Sequence, residues 1–370
     1  MDNLTWIHAN SVLQEIRRLD LIIAADMQVD ISPSAQMIDN TWSLTIPENV
    51  WEEEPIRKGH YIYAPGTEWG GPVTLVKHST KDRRIVLQGP TWRGILHQRF
   101  ICPPSGQAYL TLEDVDANAA ISQAAGNLGS LFSVSSATAG TDVSASFRYQ
   151  SVAAGLEKVF REYGMRLAIT FDPSIPAAVL SAQQAQDRSA TIEISQDYGV
   201  SFISESGCTE EANHCLALGS GELQSRTVLS VYRVGNTYYT DRPAAITDSN
   251  LRTVKLDYPN AEDEDELLSA AIGRLQEHAP QTSIKVDEIT IDQSFDLGDI
   301  LGVRDRTTGM AGKSEAQQKI LTVSQGRTSI ALKLATVIGA GSNVELHTWG
   351  DLYTVTWSDA AASTWQSFIE

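Results

Sequence analysis

Apolar residues recur at two spacings along this chain. From Leu4 to about Pro104 they fall in short alternating runs, Leu19-Asp-Leu-Ile-Ile23, Trp42-Ser-Leu-Thr-Ile46, Tyr61-Ile-Tyr63, Pro72-Val-Thr-Leu-Val76 and Ile85-Val-Leu-Gln88, broken by Pro, Gly and Asn. That is the pattern of half-buried strands. Between Leu112 and about Ser206 the period lengthens. Val115 to Leu128 and Val152 to Tyr163 read as helices, the second with Val152, Leu156, Val159 and Phe160 on one stripe. A small-residue stretch from Ser130 to Ser146 separates them and reads as a loop or loose hairpin. Met165 to Phe171 predicts a buried strand and Thr191 to Ile194 an edge or exposed one. From Asn213 the strand period returns, with Thr227 to Val234 and Thr237 to Thr240 flanking a Gly235-Asn236 hairpin turn.

One helix is predicted with strong end signals, over residues 262–279. Asp257-Tyr-Pro-Asn260 is turn chemistry with Asn260 as a cap, and Glu262, Asp263, Glu264, Asp265 and Glu266 place carboxylates at the positive end of the helix dipole. Leu268, Ile272, Leu275 and Ala279 form its stripe, and Pro280 stops it. Ile284 and Val286 then alternate with polar neighbours, as do Ile289 and Ile291, but shifted by one residue. A bulge or bend between Val286 and Ile289 follows from that slip.

The chain also carries an internal similarity. Ile56-Arg-Lys-Gly59-His-Tyr-Ile62 resembles Phe295-Asp-Leu-Gly298-Asp-Ile-Leu301. In both places a second strand follows, Val73 to Val76 and Ile320 to Val323, and then a third after a polar turn, Arg84-Ile-Val-Leu87 and Ser329-Ile-Ala-Leu332. The alignment predicts two related strand units in one polypeptide; chance likeness within strand-rich sequence is the alternative.

Composition narrows the classes. With 370 residues there is room for two or three domains at roughly 100 to 200 residues each. No apolar run is long enough to span a bilayer and no basic-then-apolar leader occupies Met1 to Asp20, so neither stable membrane insertion nor export by a signal peptide is expected. Three cysteines, Cys102, Cys208 and Cys215, are too few for a disulfide framework, and a reducing compartment is expected. A net charge of −18 argues against binding nucleic acid through its phosphates.

Candidate chemistry is sparse. Cys208, His214 and Cys215 come nearest to a metal set, but zinc takes four ligands and no second pair stands at matching spacing. Cys102 lies beside Pro103-Pro104 with no motif for an activated thiol. The carboxylates from Glu262 to Glu266 lack the alternating loop geometry of a calcium site and read as a solvated helix start. Gly219-Ser-Gly221 lacks the lysine and third glycine of a phosphate cradle and reads as a turn. Trp6, Trp42, Trp51, Trp69 and Trp92 crowd the first hundred residues, as a core or subunit interface or, alternatively, as a sugar-binding face. No catalytic, cofactor-binding or metal-ligating residue is assigned, and no enzyme is expected.

Several segments together resemble one family. Trp42-Ser-Leu-Thr-Ile-Pro47, the Gly59 turn and Gly89-Pro-Thr-Trp-Arg-Gly-Ile-Leu-His-Gln-Arg99-Phe-Ile resemble the N-terminal barrel of hub proteins from long-tailed bacteriophages and prophages. Phe147-Arg-Tyr-Gln-Ser-Val152, Ser195-Gln-Asp-Tyr198, Leu218-Gly-Ser-Gly-Glu-Leu223 with Arg226, Asp257-Tyr-Pro-Asn260 and the Asp296-Leu-Gly-Asp299 turn follow in that family's order. The resemblance implies a β-rich α+β fold: two tail-tube-like antiparallel β-barrel domains, at 1–110 and 207–340, a helical α/β insert at 111–206 and a C-terminal arm at 341–370. It implies a structural virion protein, a homotrimeric tail-tip or baseplate hub assembled in the bacterial host cytoplasm, which joins a hexameric tail tube to a threefold tip. Its implied partners are tail tube and distal tail proteins, a tape-measure protein and receptor-binding or tip proteins, with DNA passing through the lumen without specific binding. The readings set against it are a cell-wall glycan hydrolase and a carbohydrate-binding adhesin.

Overall fold

The structure, a computed structural model, describes residues 4–126, 128–222, 225–261, 263–290, 295–324 and 326–339. Glu262, Ile291 and the 341–370 arm with Trp349, Trp357 and Trp365 lie outside the described residues. The fold is α+β and rich in strands. It divides into two compact units. Among the described residues, one comprises the chain up to Phe202 with Lys285–Arg306 and Lys313–Thr336, and the other comprises Ile203–Ile284, Thr307–Gly312 and residues 337–339.

The first unit is built on a nine-stranded sheet. From the N-terminal third it takes β1 (Ala24–Asp30), β2 (Thr41–Pro47), β3, the short strand Tyr61–Tyr63 of a neighbouring sheet, β4 (Leu75–Ser79) and β5 (Arg84–Pro90), of which β1, β2, β5 and β4 are consecutive in the nine-stranded sheet. In β2 the side chains alternate, with Trp42, Leu44 and Ile46 buried, because one face of the strand meets the core. The expected strand at Leu19 to Ile23 is displaced: those residues join the strand Glu15–Arg18 to β1, whose buried Ala25, Met27 and Val29 make a weaker apolar signal than the Leu-Ile run before them. At Gly89 the chain passes so close to a neighbouring strand that an added Cβ would sit 1.9 Å from the Pro72 carbonyl oxygen, which only glycine tolerates.

Helix α1 (Trp92–His97) follows, its Thr91 hydroxyl accepting from the Gly94 N–H. Helix α2 (Ala117–Ala125) is shorter than the predicted 115–128, because Val115 and Asp116 still belong to a strand, Leu110–Asp116. Helix α3 (Val152–Glu162), capped by Ser151, buries Val152, Leu156, Val159 and Phe160 as the spacing predicts. The Ser130 to Ser146 stretch is not a hairpin. Its strand Phe132–Val134 runs parallel to Ala177–Gln184, and Asp142–Phe147 pairs with Leu110–Asp116. Asp116 holds it, with one carboxylate oxygen capping α2 and the other accepting from the Ala139 and Gly140 N–H groups at 2.8 and 3.2 Å. One apolar core contains Ile7, Trp92 and Leu96 together with Leu156, Phe160 and Phe171, drawing on residues from both sides of position 110. Phe171 lies in β6 (Met165–Asp172), the predicted buried strand.

The second unit has a four-stranded sheet in the order Thr237–Tyr239, Val228–Val234, His214–Leu218, Thr253–Asp257, with the Gly235-Asn236 hairpin at the predicted place. Helix α4 (Glu264–Glu277) packs on it. Its cap is Asp263, whose carboxylate accepts from the Glu266 N–H at 2.8 Å, rather than Asn260. The buried stripe is Leu267, Ala271 and Leu275, so the helix is rotated by one residue from the expected Leu268 and Ile272, which are only partly covered. Past α4, the strand Gln281–Val286 belongs to a three-stranded sheet and β7 (Ile289–Thr290) to the nine-stranded one, so the phase slip marks a change of sheet.

Three strands complete the first unit: β8 (Ile300–Arg304), β9 (Ala311–Ser324) and β10 (Arg327–Leu334). They repeat the N-terminal pattern in detail. Arg57 to His60 and Asp296 to Asp299 each form a turn closed by an N–H to C=O bond, of 3.0 and 3.2 Å, with Gly59 and Gly298 at φ +87° and +82°. That left-handed conformation is why both turns need glycine. The Gly59 N–H donates to Val73 and the Val73 N–H to His60; equally, Gly298 donates to Ala316 and Ala316 to Asp299, all at 2.7 to 2.8 Å. Ile62 and Leu301, three residues past each glycine, are both fully buried. Leu87 of β5 sits between Leu44 and Val76, and Leu332 of β10 between Ile289 and Lys319. Two strand units with the same turn and pairing pattern are therefore present. The second-strand alignment shifts by four residues, since Val73 corresponds to Ala316 and not to Ile320.

Candidate functional site

The residues with the most suggestive chemistry in the sequence have structural occupations. His214 stacks on Tyr232 with ring centroids 4.5 Å apart and places Nδ1 2.9 Å from the Thr253 hydroxyl, while Cys215 is buried against α4. Among the described residues no three of His, Cys, Asp and Glu gather as a metal set. Exposed Cys102 lies with Sγ 3.7 Å from the Phe100 carbonyl oxygen. Gly219 to Gly221 is a turn closed by bonds between Gly219 and Thr227 and between Thr227 and Ser220. Trp6, Trp42, Trp69 and Trp92 are buried and Trp51 is half-buried, so four of these five rings are core residues.

What the structure assembles instead is a joint. Strand β9 of the second strand unit pairs antiparallel with β1, from Gln318 against Asp30 to Ser324 against Ala24, and β1 in turn pairs with β2 of the first. The two strand units, both within the first compact unit, thus share one sheet. A cluster of arginines ties α1, α3 and β6 to one another and to this sheet. Arg93 on α1, 1% exposed, donates from Nε to Glu68 at 2.7 Å, from Nη1 to Glu157 on α3, and from Nη2 to the Leu167 carbonyl at 2.8 Å. Arg161 binds Glu315 at 2.9 Å and the Ile31 carbonyl at 2.7 Å. Arg166 on β6 reaches Asp296 at 3.0 Å and the Leu297 carbonyl at 2.7 Å, at the base of the Gly298 turn, and Lys319 shares Asp296 at 3.0 Å.

A cavity of about 400 Å³ opens among these groups, lined by Thr67, Glu68, Arg93, Arg166, Asp296 and Lys319 among others. Its carboxylates are bound, Glu68 to Arg93 and Asp296 to Arg166 and Lys319. Lysine and arginine beside Asp296 hold its carboxyl below the usual range against the opposing effect of burial. The arrangement can rigidify, with both carboxylates among the described lining residues engaged by cations. Sequence reading missed Arg93, Glu157, Arg161 and Arg166. The one available signal was Glu157, which stands four residues after Ala153 on the buried face of α3, where a carboxylate requires a cationic partner.

Two histidines near this frame are expected to make it acid-sensitive. His8 is buried, with Nε2 2.8 Å from His60 Nδ1. Burial first, then the neighbouring His60 and Arg17 charges, lower its pKa to about 4. Burial and Arg93 likewise lower His97 to about 4. Both folded values lie below the ordinary 6.5, so the fold favours the neutral rings. Their contribution is complete above pH 6.5 and is lost as pH falls from 6.5 toward 4. His8 alone should then cost about 2 kcal/mol at pH 5. Melting temperatures at pH 7.5 and 5 test this: the drop on acidification should shrink in His8→Gln, and an equal drop in that variant would refute the assignment.

No protein-family model matches the sequence, and no curated protein matches it. Among solved structures the chain is similar to a component of the phage P2 baseplate in its activated conformation, at 10% identity and a TM-score of 0.47 over 92% of this chain and 100% of that one. It is similar to the 43 kDa tail protein of prophage MuSo2 from Shewanella oneidensis, at 11% identity and TM-score 0.46, covering 90% and 98%. A tail protein from Neisseria meningitidis aligns at 13% identity and TM-score 0.43, covering 89% and 96%.

Proposed function

We propose that this chain is a structural protein of a bacteriophage-type tail, a homotrimeric tail-tip or baseplate hub, and that it is not an enzyme. The observation that carries the reading is the pair of equivalent strand units joined edge to edge through β9 and β1. A joint of this kind can continue from chain to chain. The counterpart of β9 in the first unit is β4, whose outer edge has no partner strand among the described residues and whose Leu75 is 50% exposed. Head-to-tail use of that edge closes a ring if the rotation allows it, and three chains with two units each give six near-equivalent positions. Such a ring matches a hexameric tail tube on one side and a threefold tip on the other. The tail tube, distal tail, tape-measure and tip proteins are its partners, the virion tail tip its location and the host cytoplasm its place of assembly. The central channel would carry DNA without specific binding, helped by like-charge repulsion from a chain of net charge −18.

The purified full chain at high concentration tests this. The expected result is threefold rings with a central opening in electron-microscopy class averages, at three times 40.3 kDa, about 121 kDa. Compact monomers that never form rings would overturn the homotrimer.

A further inference from the structure

We propose that Arg148 and the tyrosines beside its guanidinium form a binding site for an acidic saccharide, a pyranose that carries a carboxylate. This inference does not rest on the hub reading. The site lies where two short antiparallel pairings meet. Phe147, the last residue of the strand Asp142–Phe147, pairs with Leu110, and Gln150–Ser151 pairs with Phe100–Ile101. Arg148 and Tyr149 join one pairing to the other, and Tyr109 immediately precedes Leu110. The Tyr149 N–H donates to the Ile101 carbonyl at 3.0 Å. On the other side, residues 102–108 carry Pro103-Pro104 and turn at Gly106, φ +81°, where the Gln107 N–H donates to the Pro104 carbonyl at 3.0 Å.

The Arg148 guanidinium lies over two rings, 5.7 Å from the centre of Tyr109 and 5.9 Å from that of Tyr149, and it makes no hydrogen bond or ion pair among the described residues. A guanidinium held over aromatic faces keeps its N–H edge free, and that edge matches the two oxygens of a carboxylate. Both rings are open, Tyr109 48% and Tyr149 64% exposed. Tyr149 is held at φ +52°, a left-handed conformation that is costly for a bulky side chain and persists only where the surroundings impose it. The fixed backbone leaves the ring less freedom to lose when a ligand binds.

Charge and shape together select the ligand. Residues 100–112 and 143–156 contain no Asp, Glu, Lys, Arg or His other than Arg148. Of the helices packed on these strands, α2 has no charged residue, and on α3 Glu157 is bound by Arg93, Arg161 is bound by Glu315, and exposed Lys158 and Glu162 stand one turn apart and offset each other. In a chain of net charge −18, an unpaired cation so isolated from carboxylates fits an anionic ligand. The rings then choose its body. A tyrosine offers a flat apolar face and a wet hydroxyl, which suits a pyranose with one face of C–H groups and a rim of hydroxyls. A carboxylate bound at Arg148 places the sugar ring that bears it against Tyr109 or Tyr149, whereas the carboxylate of an acidic peptide stands on flexible methylenes that leave both rings without a rigid partner.

The probes are trigalacturonic acid and N-acetylneuraminic acid, each titrated calorimetrically into the full chain, with the methyl ester of trigalacturonic acid, a hexaglutamate peptide and sodium acetate as controls. Saturable binding of at least one probe, and of none of the controls at the same concentration, is expected. Arg148→Gln should bind that probe about tenfold more weakly and melt at the parent temperature, because the exposed side chain bonds to nothing that the described fold uses. Tyr149→Gly relieves the left-handed conformation, so it should melt no lower than the parent yet also bind about tenfold more weakly. The proposal is overturned if neither probe binds saturably, if the ester or acetate binds as tightly as the probe, or if either variant keeps the parent affinity. Binding of hexaglutamate as tight as that of the probes would also overturn it, assigning Arg148 to an acidic peptide.

Discussion

Replacing Arg93 with methionine should lower the unfolding free energy of the first unit by about 3 to 5 kcal/mol, the range for removing one member of a buried ion pair. The side chain is 1% exposed and serves three elements at once: the turn that carries Glu68, helix α3 through Glu157 and strand β6 through the Leu167 carbonyl. Burial pushes the Glu157 carboxyl up and the Arg93 guanidinium opposes it. Without the guanidinium, Glu157 would be a buried acid whose folded pKa lies above its unfolded value. Stability from such a group is present below the unfolded value and is lost as pH rises through the folded one. The deficit of Arg93→Met relative to the parent should therefore be larger at pH 7.5 than at pH 5. Adding Glu157→Gln removes the stranded charge and should recover a large part of the loss, because the cost lies more in the unpaired carboxylate than in the bond itself. Denaturant unfolding of the parent, the single and the double variant at both pH values checks this. A single-variant loss under about 1 kcal/mol, or a pH-independent one, would mean that Arg93 does not hold this junction.

Features governed by neighbouring residues could be read in advance. The Gly59 and Gly298 turns were visible because the left-handed position leaves glycine in the sequence, and Leu87 aligns with Leu332 because each is a buried residue of the strand after the turn. The middle strand misaligned for a local reason. In the first unit the chain is broken between Gly70–Pro72 and Leu75–Ser79, whereas β9 runs unbroken through fourteen residues, so apolar spacing alone paired Val73 with the wrong position. The rotation of α4 likewise depends on which stripe meets Cys215, Ala217 and Val231, and a helix with Leu267 and Leu268 adjacent offers both. The Arg93 cluster was not legible, because Glu157 lies 64 residues from Arg93 and Glu315 lies 154 from Arg161. Ion pairs across such distances leave no periodicity. The shared sheet was hidden for the same reason, since the register of β9 on β1 is set by residues nearly three hundred positions apart.

That sheet yields the prediction with the largest consequence for assembly. In an antiparallel strand the backbone N–H groups of successive residues point to opposite sides. Of Val76→Pro and Lys77→Pro in β4, one therefore removes a donor from the ladder with β5 and the other removes a donor from the open edge. The first should lower the melting temperature, because it breaks pairing inside the unit and clashes with the neighbouring strand. The second should leave melting nearly unchanged and abolish ring formation, leaving particles at the mass of one chain. The pair is its own control, since one variant reports the fold and the other the joint. Rings that form equally well with both prolines would remove β4 from the chain-to-chain contact. If the β4 edge repeats the β9–β1 joint, the variant that keeps its stability is the one that loses its threefold assembly. In that case the same hydrogen-bonded edge builds the sheet within a chain and closes the ring between chains.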